Sequence, residues 1–192
     1  MSSFNPSVFR RQFPAVAQPG VYLDSAATAL KPQAVIAATQ QFYSSDAATV
    51  HRSQHKAAQD LTARFEQTRH QAAALINAAA EEIVWTRGTT EAINLVAQSY
   101  ARPRLQPGDE IIVSEAEHHA NLIPWLMVAQ QTGARVIKLP LGADRLPDLT
   151  QLPALLTAQT RLLALGRCPT LPAAVRSWRR RSHWRTASAP KS

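Results

Sequence analysis

Short apolar stretches alternate with segments of helical periodicity through most of the second half of this 192-residue chain. Strands separated by helices of about ten residues are typical of βαβ units, in which the strands run parallel and the helices cover the sheet. The pattern therefore predicts an α/β fold with a mostly parallel sheet. The predicted strands span residues 82–86, 110–114, 135–139 and 161–165, and the predicted helices span residues 89–100, 121–131 and 149–157.

Two helical patterns dominate the first part of the chain. Apolar residues recur at helical spacing over residues 33–43, directly after Pro32, and again over residues 56–77. Periodicity and composition together predict three regions. These are a leader segment over residues 1–19, one α/β domain over residues 20–166 and a divergent tail over residues 167–192.

The net charge of +8 is distributed unevenly along the chain. Residues 1–166 hold 14 Lys and Arg and all 13 Asp and Glu, whereas residues 167–192 hold 7 Lys and Arg and no acid. This tail lacks glycine and any strand pattern, so we expect it to be disordered. Nucleic-acid binding by the tail is an alternative function, disfavoured because the basic run lies on no patterned scaffold. The residues concerned are Arg176, Arg179, Arg180, Arg181, Arg185, Trp178 and Trp184.

The cysteine content and the absence of long apolar runs indicate which cellular compartment to expect. Cys168 is the single cysteine, so no internal disulfide framework is expected. No apolar run approaches the roughly 20 residues that cross a bilayer, and the N-terminus lacks the apolar core of a secretory signal. We therefore expect a cytoplasmic protein without a membrane partner.

The stretch WTRGTTEAIN, residues 85–94, places a glycine and two threonines between a predicted strand and a predicted helix. The first N–H groups of a helix have no partner within the helix, and the helix dipole favours negative charge there. Gly88, Thr89 and Thr90 are therefore candidates for holding a phosphate group. Threonines also cap helices without binding a ligand, and the local sequence leaves that alternative open.

Histidines occur in two further polar stretches. His118 and His119 follow a predicted strand in SEAEHHANLIPW, residues 114–125. Because ligands gather beyond the carboxyl ends of parallel strands, this turn and the Gly88 turn are expected at the same edge of the sheet. Adjacent histidines make a poor metal pair, so no metal site is predicted. His51 and Arg52 lie in the polar connection TVHRSQH between two predicted helices. The sequence leaves two alternatives open: these side chains contact a ligand or a partner subunit, or the connection is a solvated loop.

These stretches together resemble the class V aminotransferase-like enzymes, which use pyridoxal 5′-phosphate. The strings YLDSAATALKP, VHRS, TRGTTEAINLVA, GDEIIVS, EHHANLIPW and TRLLAL follow the order and spacing of the family over residues 4–166. They are most similar to its cysteine desulfurase and selenocysteine lyase group, in particular the cysteine sulfinate desulfinase branch. The resemblance implies an incomplete large domain of the PLP-dependent transferase fold, fold type I.

The resemblance also implies roles for individual residues. The turn at Gly88 would present Thr89 and Thr90 to the cofactor phosphate, and His118 would stack on the pyridine ring. The turn at Ala26 and Ala27 would lie near the substrate amino acid. His51 and Arg52 would lie near the active site or the dimer contact.

The implied reaction is sulfur transfer from L-cysteine, which gives L-alanine and an enzyme persulfide, in a homodimer that passes the sulfur to an acceptor protein. The family uses a lysine that holds the cofactor and a cysteine that attacks the substrate sulfur. No lysine of this sequence lies in the family's lysine motif, and Cys168 precedes the expected nucleophile position. No catalytic residue is therefore assigned, and we expect a truncated portion that is inactive alone. An interaction fragment that pairs with a full-length desulfurase is a further alternative.

Overall fold

A computed structural model describes residues 4–17 and 21–166. The chain divides into two compact units, with the boundary between Val84 and Trp85. The tail at residues 167–192, with Cys168 and the arginines named above, lies outside the described residues. The three regions expected from the sequence stay predictions.

The first unit is helical. A helix begins where Asn5 accepts hydrogen bonds at its Oδ1 from the N–H groups of Ser7 and Val8, at 3.0 and 3.1 Å. The longest helix ends where Asn77 takes the left-handed conformation, with φ 57°. Such a residue satisfies the last carbonyl groups of a helix, and asparagine adopts it more readily than most residues. The helices are α1 (Pro6–Arg10), α2 (Gln33–Gln41) and α3 (Lys56–Ile76), with a π-helical turn at Phe42–Asp46 and 3-10 turns at Pro14–Ala17 and Ala80–Glu82.

The second unit is an α/β layer built on a three-stranded parallel sheet. Its strand order is β2-β1-β3, so the first strand along the chain is central. The strands are β1 (Glu110–Ser114), β2 (Arg135–Leu139) and β3 (Thr160–Ala164). The helices are α4 (Thr89–Val96), α5 (Ile123–Thr132) and α6 (Leu152–Leu155), with a π-helical turn at Ala97–Ala101 and a 3-10 turn at His119–Asn121. The parallel α/β fold predicted from the sequence is thus confirmed.

Hydrophobic side chains cover both faces of the central strand. Ile111 and Val113 pack with Trp125 and Val128 of α5 on one face, and Ile112 packs against Leu139 and Leu152 on the other. All five residues of β1 are buried, as expected for a parallel strand covered on both sides. The core therefore fixes β1, and with it the turn that follows Ser114.

Two buried acids anchor the opposite edge of the sheet, where the strands begin. Asp109 accepts a hydrogen bond from Arg161 Nε at 2.9 Å. Glu110 accepts hydrogen bonds from Arg135 Nη2 at 2.9 Å and from the Thr157 hydroxyl at 2.6 Å. Each carboxylate thus has a charged partner, as burial of a charge requires. These pairs join the starts of all three strands.

The strand predicted over residues 82–86 is wrong. Ile83 has extended backbone angles, but residues 82–86 pair with no strand among the residues that the structure describes. The Ile83 carbonyl instead accepts a hydrogen bond from Arg69 Nη1 at 2.5 Å. Strand propensity alone does not make a sheet, because the ladder needs a neighbouring strand.

The helix predicted over residues 149–157 is reduced to α6, a single turn. Asp148 holds Thr150 in a turn. Its Oδ1 accepts a hydrogen bond from the Thr150 N–H at 3.0 Å and another from the Thr150 hydroxyl at 2.5 Å. Pro153 lies in the first turn of α6, where a proline favours a helix start. The remaining predicted strands and helices are confirmed to within a few residues at their ends. No helix in the described part of the chain is long and apolar enough to cross a membrane.

Candidate functional site

The start of α4 presents free backbone donors. Its first helical hydrogen bond runs from the Ala92 N–H to the Gly88 carbonyl at 3.0 Å. No hydrogen bond with another described residue engages the N–H groups of Thr89, Thr90 or Glu91, and Gly88 provides no side-chain cap. Both threonines are exposed. Three consecutive N–H groups and two hydroxyls at the positive end of a helix form a site suited to a phosphate.

Glu91 introduces a negative charge into this first turn, but its carboxylate is turned back toward Arg87. Glu91 Oε2 accepts hydrogen bonds from the Arg87 backbone N–H at 2.7 Å and from Arg87 Nε at 3.1 Å. The backbone hydrogen bond, followed by the side-chain one, lowers the pKa of Glu91 below its ordinary value. The charge is thus neutralised locally by Arg87, so it opposes an anion at Thr89 and Thr90 less than a free carboxylate would.

Gly88 leaves space in front of the helix start. Its φ of 163° is extended backbone, and a Cβ built on it would meet no atom within 4 Å. A ligand can therefore approach the backbone of Gly88 and Thr89 closely. The donor set and the open space both fit the phosphate group of a cofactor.

His118 lies in the turn that follows β1. It is exposed, and its Nδ1 accepts a hydrogen bond from the Ala120 N–H at 3.1 Å. Since Nδ1 is the acceptor, the neutral imidazole carries its proton on Nε2. His119 is also exposed, and its ring centroid lies 6.2 Å from that of His118 at an interplanar angle of 53°. The two histidines therefore present their faces in different directions.

Helix α4 and the histidine turn are neighbours. The 3-10 turn at His119–Asn121 packs against α4, at the edge of the sheet where β1 ends. The prediction that the Gly88 turn and the histidine turn share one edge agrees with this packing. The second unit thus combines an open helix start with an exposed, oriented imidazole.

The first unit carries the other residues predicted from the sequence. Ala26 and Ala27 lie in an exposed turn, closed by the N–H groups of Ala27 and Thr28, which donate to the Asp24 carbonyl at 3.1 and 3.0 Å. The Tyr22 hydroxyl donates to the Thr28 carbonyl and so closes the same turn. The small side chains of the two alanines leave this surface open.

His51 is fixed in the first unit, whereas Arg52 is free among the described residues. His51 has a left-handed backbone with φ 63°, and its N–H donates to Thr62 Oγ1 at 3.1 Å. Its Nε2 lies 3.0 Å from Glu66 Oε1. Arg52 is exposed and has no hydrogen bond or ion pair with any residue in the described ranges. Arg52 is therefore available for an external anion.

Glu66 connects His51 to Arg69, and sequence reasoning missed it. Its Oε2 accepts a hydrogen bond from Arg69 Nε at 3.0 Å. The Arg69 hydrogen bond is the largest cause that lowers the pKa of Glu66 below its ordinary value, and His51 contributes in the same direction. The His–Glu pair lies fifteen residues apart, which is outside any local motif.

Glu117 and Asn121 were also missed as positioning residues for the histidine turn. Asn121 Nδ2 donates to Glu117 Oε2 at 2.8 Å, and Trp125 Nε1 donates to Asn121 Oδ1 at 3.1 Å. The spacing of four between each pair was a usable signal, because such side chains meet on helical turns. No group of three metal-ligating side chains occurs in the described part of the chain.

A parallel sheet with an open helix start beside an oriented histidine, at the edge where the strands end, is typical of α/β proteins that bind a phosphate-bearing molecule. The profile of the aminotransferase class-V family matches residues 21–171. The chain belongs to this family.

The relatives identify the branch of the family. Cysteine desulfurase CsdA of Escherichia coli is 66% identical over 183 residues, which cover 91% of this chain and 46% of that protein. A probable cysteine desulfurase of Vibrio cholerae is 50% identical over 168 residues, covering 84% of this chain and 42% of that protein. The chain therefore spans about half the length of the curated relatives that it matches, and it corresponds to their N-terminal part.

Solved structures agree with the sequence relatives. The crystal structure of CsdA from Escherichia coli matches with a TM-score of 0.78 at 65% identity, covering 92% of this chain and 46% of that chain. The apo cysteine desulfurase of Thermococcus onnurineus matches with a TM-score of 0.78 at 31% identity, covering 86% of this chain and 41% of that chain. The family resemblance predicted from the sequence is confirmed.

Proposed function

We propose that this chain is the N-terminal portion of a cysteine desulfurase and provides part of the binding site for pyridoxal 5′-phosphate. The observation that carries the proposal is the open start of α4, where the N–H groups of Thr89, Thr90 and Glu91 lack partners among the described residues. In this proposal those groups and the two threonine hydroxyls hold the phosphate. His118 stacks on the pyridine ring.

The groups present have the chemistry that this cofactor requires. A phosphate dianion is stabilised by several N–H donors at a helix start. An aromatic ring is stabilised by stacking on an imidazole, and His118 is exposed for such contact. When bound, the cofactor supplies an electron sink for bond cleavage at an amino acid. The chain's own task is to bind and orient it.

The first unit supplies the substrate side in this proposal. Ala26 and Ala27 form a turn of small residues near the substrate amino acid. We place His51 and Arg52 near the active site or near the dimer contact. The Arg52 guanidinium, which has no partner among the described residues, suits a carboxylate or phosphate. The Glu66 pair holds the His51 side chain in a fixed position.

For the protein to which this portion corresponds, we propose sulfur transfer from L-cysteine with release of L-alanine and formation of an enzyme persulfide. We further propose a homodimer, a sulfur acceptor protein as partner and a cytoplasmic location. The names of the relatives support a desulfurase over a nucleic-acid-binding fragment. No residue that the structure describes is assigned as the lysine or the cysteine of this reaction.

Equilibrium binding to the full chain tests the cofactor site. Deoxypyridoxine phosphate is the suitable probe, because it lacks the aldehyde that would react with surface lysines. Deoxypyridoxine without phosphate is its matched control. We expect the phosphate form to bind more tightly, since only it engages the start of α4.

Two pairs of variants separate the phosphate from the ring. The double change Thr89→Val and Thr90→Val is expected to weaken the phosphate probe by roughly tenfold and to leave deoxypyridoxine unaffected. Thr132→Val, at the C-terminal end of α5 and away from the start of α4, is the control. His118→Ala is expected to weaken both probes, whereas His119→Ala is not. Equal binding of both probes, or equal effects of the two histidine variants, would contradict the proposal.

A further inference from the structure

The turn that carries His118 is tied to a distant segment by one carboxylate. Glu117 Oε1 accepts a hydrogen bond from the Gly166 N–H at 2.5 Å, and Glu117 Oε2 accepts one from Asn121 Nδ2 at 2.8 Å. Gly166 lies two residues beyond the end of β3, which pairs in parallel with β1. The carboxylate therefore bridges the ends of two adjacent strands.

Asn121 extends the same network into the core. Its Oδ1 accepts a hydrogen bond from Trp125 Nε1 at 3.1 Å, and Trp125 is only 4% exposed. The backbone N–H of Asn121 donates to the His118 carbonyl at 2.8 Å. Asn121 thus holds Glu117 through its side chain and His118 through its backbone, while its own position is fixed by a buried indole.

Gly166 leaves room for this close contact. A Cβ added to Gly166 would lie 3.0 Å from Glu117 Oε2 and 3.4 Å from Oε1. The 3.0 Å distance is tighter than ordinary van der Waals contact, so the carboxylate would have to shift by a few tenths of an ångström. The absence of a side chain at residue 166 lets Glu117 approach the backbone closely.

From these contacts we propose that Glu117 is the positioning residue for His118. Its carboxylate fixes the backbone on the N-terminal side of His118 against the end of β3, and Asn121 fixes the C-terminal side. The orientation of the imidazole follows from these two restraints and from the hydrogen bond between the Ala120 N–H and His118 Nδ1. The functional meaning of this arrangement rests on the proposed stacking of His118 on the cofactor ring.

Exchanging the carboxylate and the amide between positions 117 and 121 tests the network. In Glu117→Gln, an amide nitrogen replaces one acceptor oxygen, so either the Gly166 or the Asn121 hydrogen bond is lost. In Asn121→Asp, two carboxylates face each other. The double variant restores all three hydrogen bonds, because the glutamine amide donates to the aspartate while its oxygen still accepts from Gly166 and the aspartate still accepts from Trp125.

The readouts are the pH titration of the His118 imidazole resonances and the exchange rate of the Gly166 N–H, both measured by NMR on the full chain without ligand. Each single variant is expected to move the His118 titration curve and to speed Gly166 exchange by roughly tenfold. The double variant is expected to return both toward the wild-type values. Gly166→Ala, which keeps every side chain of the network, is expected to move the His118 curve as the single variants do.

Controls make each outcome decisive. Glu115→Gln, two residues earlier in the same loop, should change neither readout, and the His119 resonances should stay in place throughout. An unchanged His118 curve in the folded single variants would overturn the proposal. If the single variants fail to fold, a folded double variant with a native His118 curve supports the proposal, and an unfolded double variant overturns it.

This experiment and the cofactor test fail independently. If deoxypyridoxine phosphate does not bind but His118 responds to Glu117, the proposed function is wrong and the positioning contact stands. If the probe binds through Thr89 and Thr90 but His118 ignores Glu117, the positioning role is wrong and the phosphate site stands.

Discussion

Glu91 Oε2 accepts hydrogen bonds from both the backbone N–H and the Nε of Arg87, at 2.7 and 3.1 Å. The glutamate thereby fixes the segment that leads into α4 and does not engage the N–H groups of Thr89 and Thr90. A negative charge in the first helical turn also interacts favourably with the helix dipole. One residue thus stabilises the helix start and leaves the candidate anion site open.

The Glu91 contact predicts a specific pH dependence of stability. Its folded-state pKa is lowered, so its stabilising contribution is fully present above the ordinary glutamate pKa and is lost as the pH falls through the folded-state pKa. Glu91→Gln should therefore reduce the free energy of unfolding at neutral pH and flatten its decline in acid. Urea unfolding over a series of pH values measures this. Glu115→Gln, an exposed glutamate of the same unit, should retain the wild-type slope, and a wild-type slope in Glu91→Gln would contradict the prediction.

Two glycines should respond differently to alanine. At Gly133, φ is 76° and a Cβ would lie 3.1 Å from the Pro107 Cβ, so Gly133→Ala combines left-handed strain with a clash. We expect it to lower the free energy of unfolding by about 2 kcal/mol. Gly88→Ala meets no neighbouring atom and should cost only about 0.5 kcal/mol. Urea unfolding followed by tryptophan fluorescence compares the two, and equal losses would show that local backbone geometry does not control these positions.

The end of α3 offers a stabilising change. Asn77 has φ 57°, a conformation that glycine adopts without steric cost. Asn77→Gly should therefore raise the stability of the helical unit by about 0.5 kcal/mol, and Asn77→Ala should lower it by about 1 kcal/mol. Gln67→Gly, at an exposed position inside the same helix, is the matched control and should cost about 1 kcal/mol. Thermal unfolding followed by circular dichroism gives the order of the three variants, and a loss on Asn77→Gly would contradict the capping role.

Among the acids of the sheet, Glu110 is the one whose substitution should reduce stability most. Its side chain is 8% exposed and accepts hydrogen bonds from Arg135 and Thr157 at the start of three strands. Glu110→Gln turns one acceptor into a donor that faces another donor, which should cost about 1–3 kcal/mol. Hydrogen exchange of the β1 amides measures the effect. Protection equal to that in Glu115→Gln would show that the pair contributes nothing to the sheet.

The sequence predicts a helix or strand well where the pattern of the segment's own residues determines it. Residues 110–114 and 135–139 are strands as expected. The first is buried along its whole length, and the second pairs beside it with Leu139 buried while Arg135 and Lys138 are exposed. Residues 82–86 have the same kind of pattern but no neighbouring strand among the described residues, and pairing is not encoded in the segment itself. The shortened α6 reflects the hydrogen bonds that Asp148 Oδ1 accepts from Thr150 and the place of Pro153, which compete with helical periodicity.

The candidate site divides in the same way. Gly88, Thr89 and Thr90 stand out in the sequence because a glycine before a helix start with threonines is a local signal. The contact of Glu117 with Gly166 joins residues 49 positions apart, so no periodicity predicts it. Likewise, the role of Glu66 becomes visible only when the loop at His51 folds onto α3. Long-range side-chain contacts of this kind need the structure.

The most direct test of the central claim is the change in the amide ¹H–¹⁵N resonances of Thr89, Thr90 and Glu91 when deoxypyridoxine phosphate is added to the full chain. We predict saturable shifts at these three amides, smaller shifts with deoxypyridoxine, and no shift at the Gly133 amide at the far end of α5. If the phosphate probe binds and these amides do not move, the start of α4 is not the phosphate site and the proposed cofactor cradle is wrong.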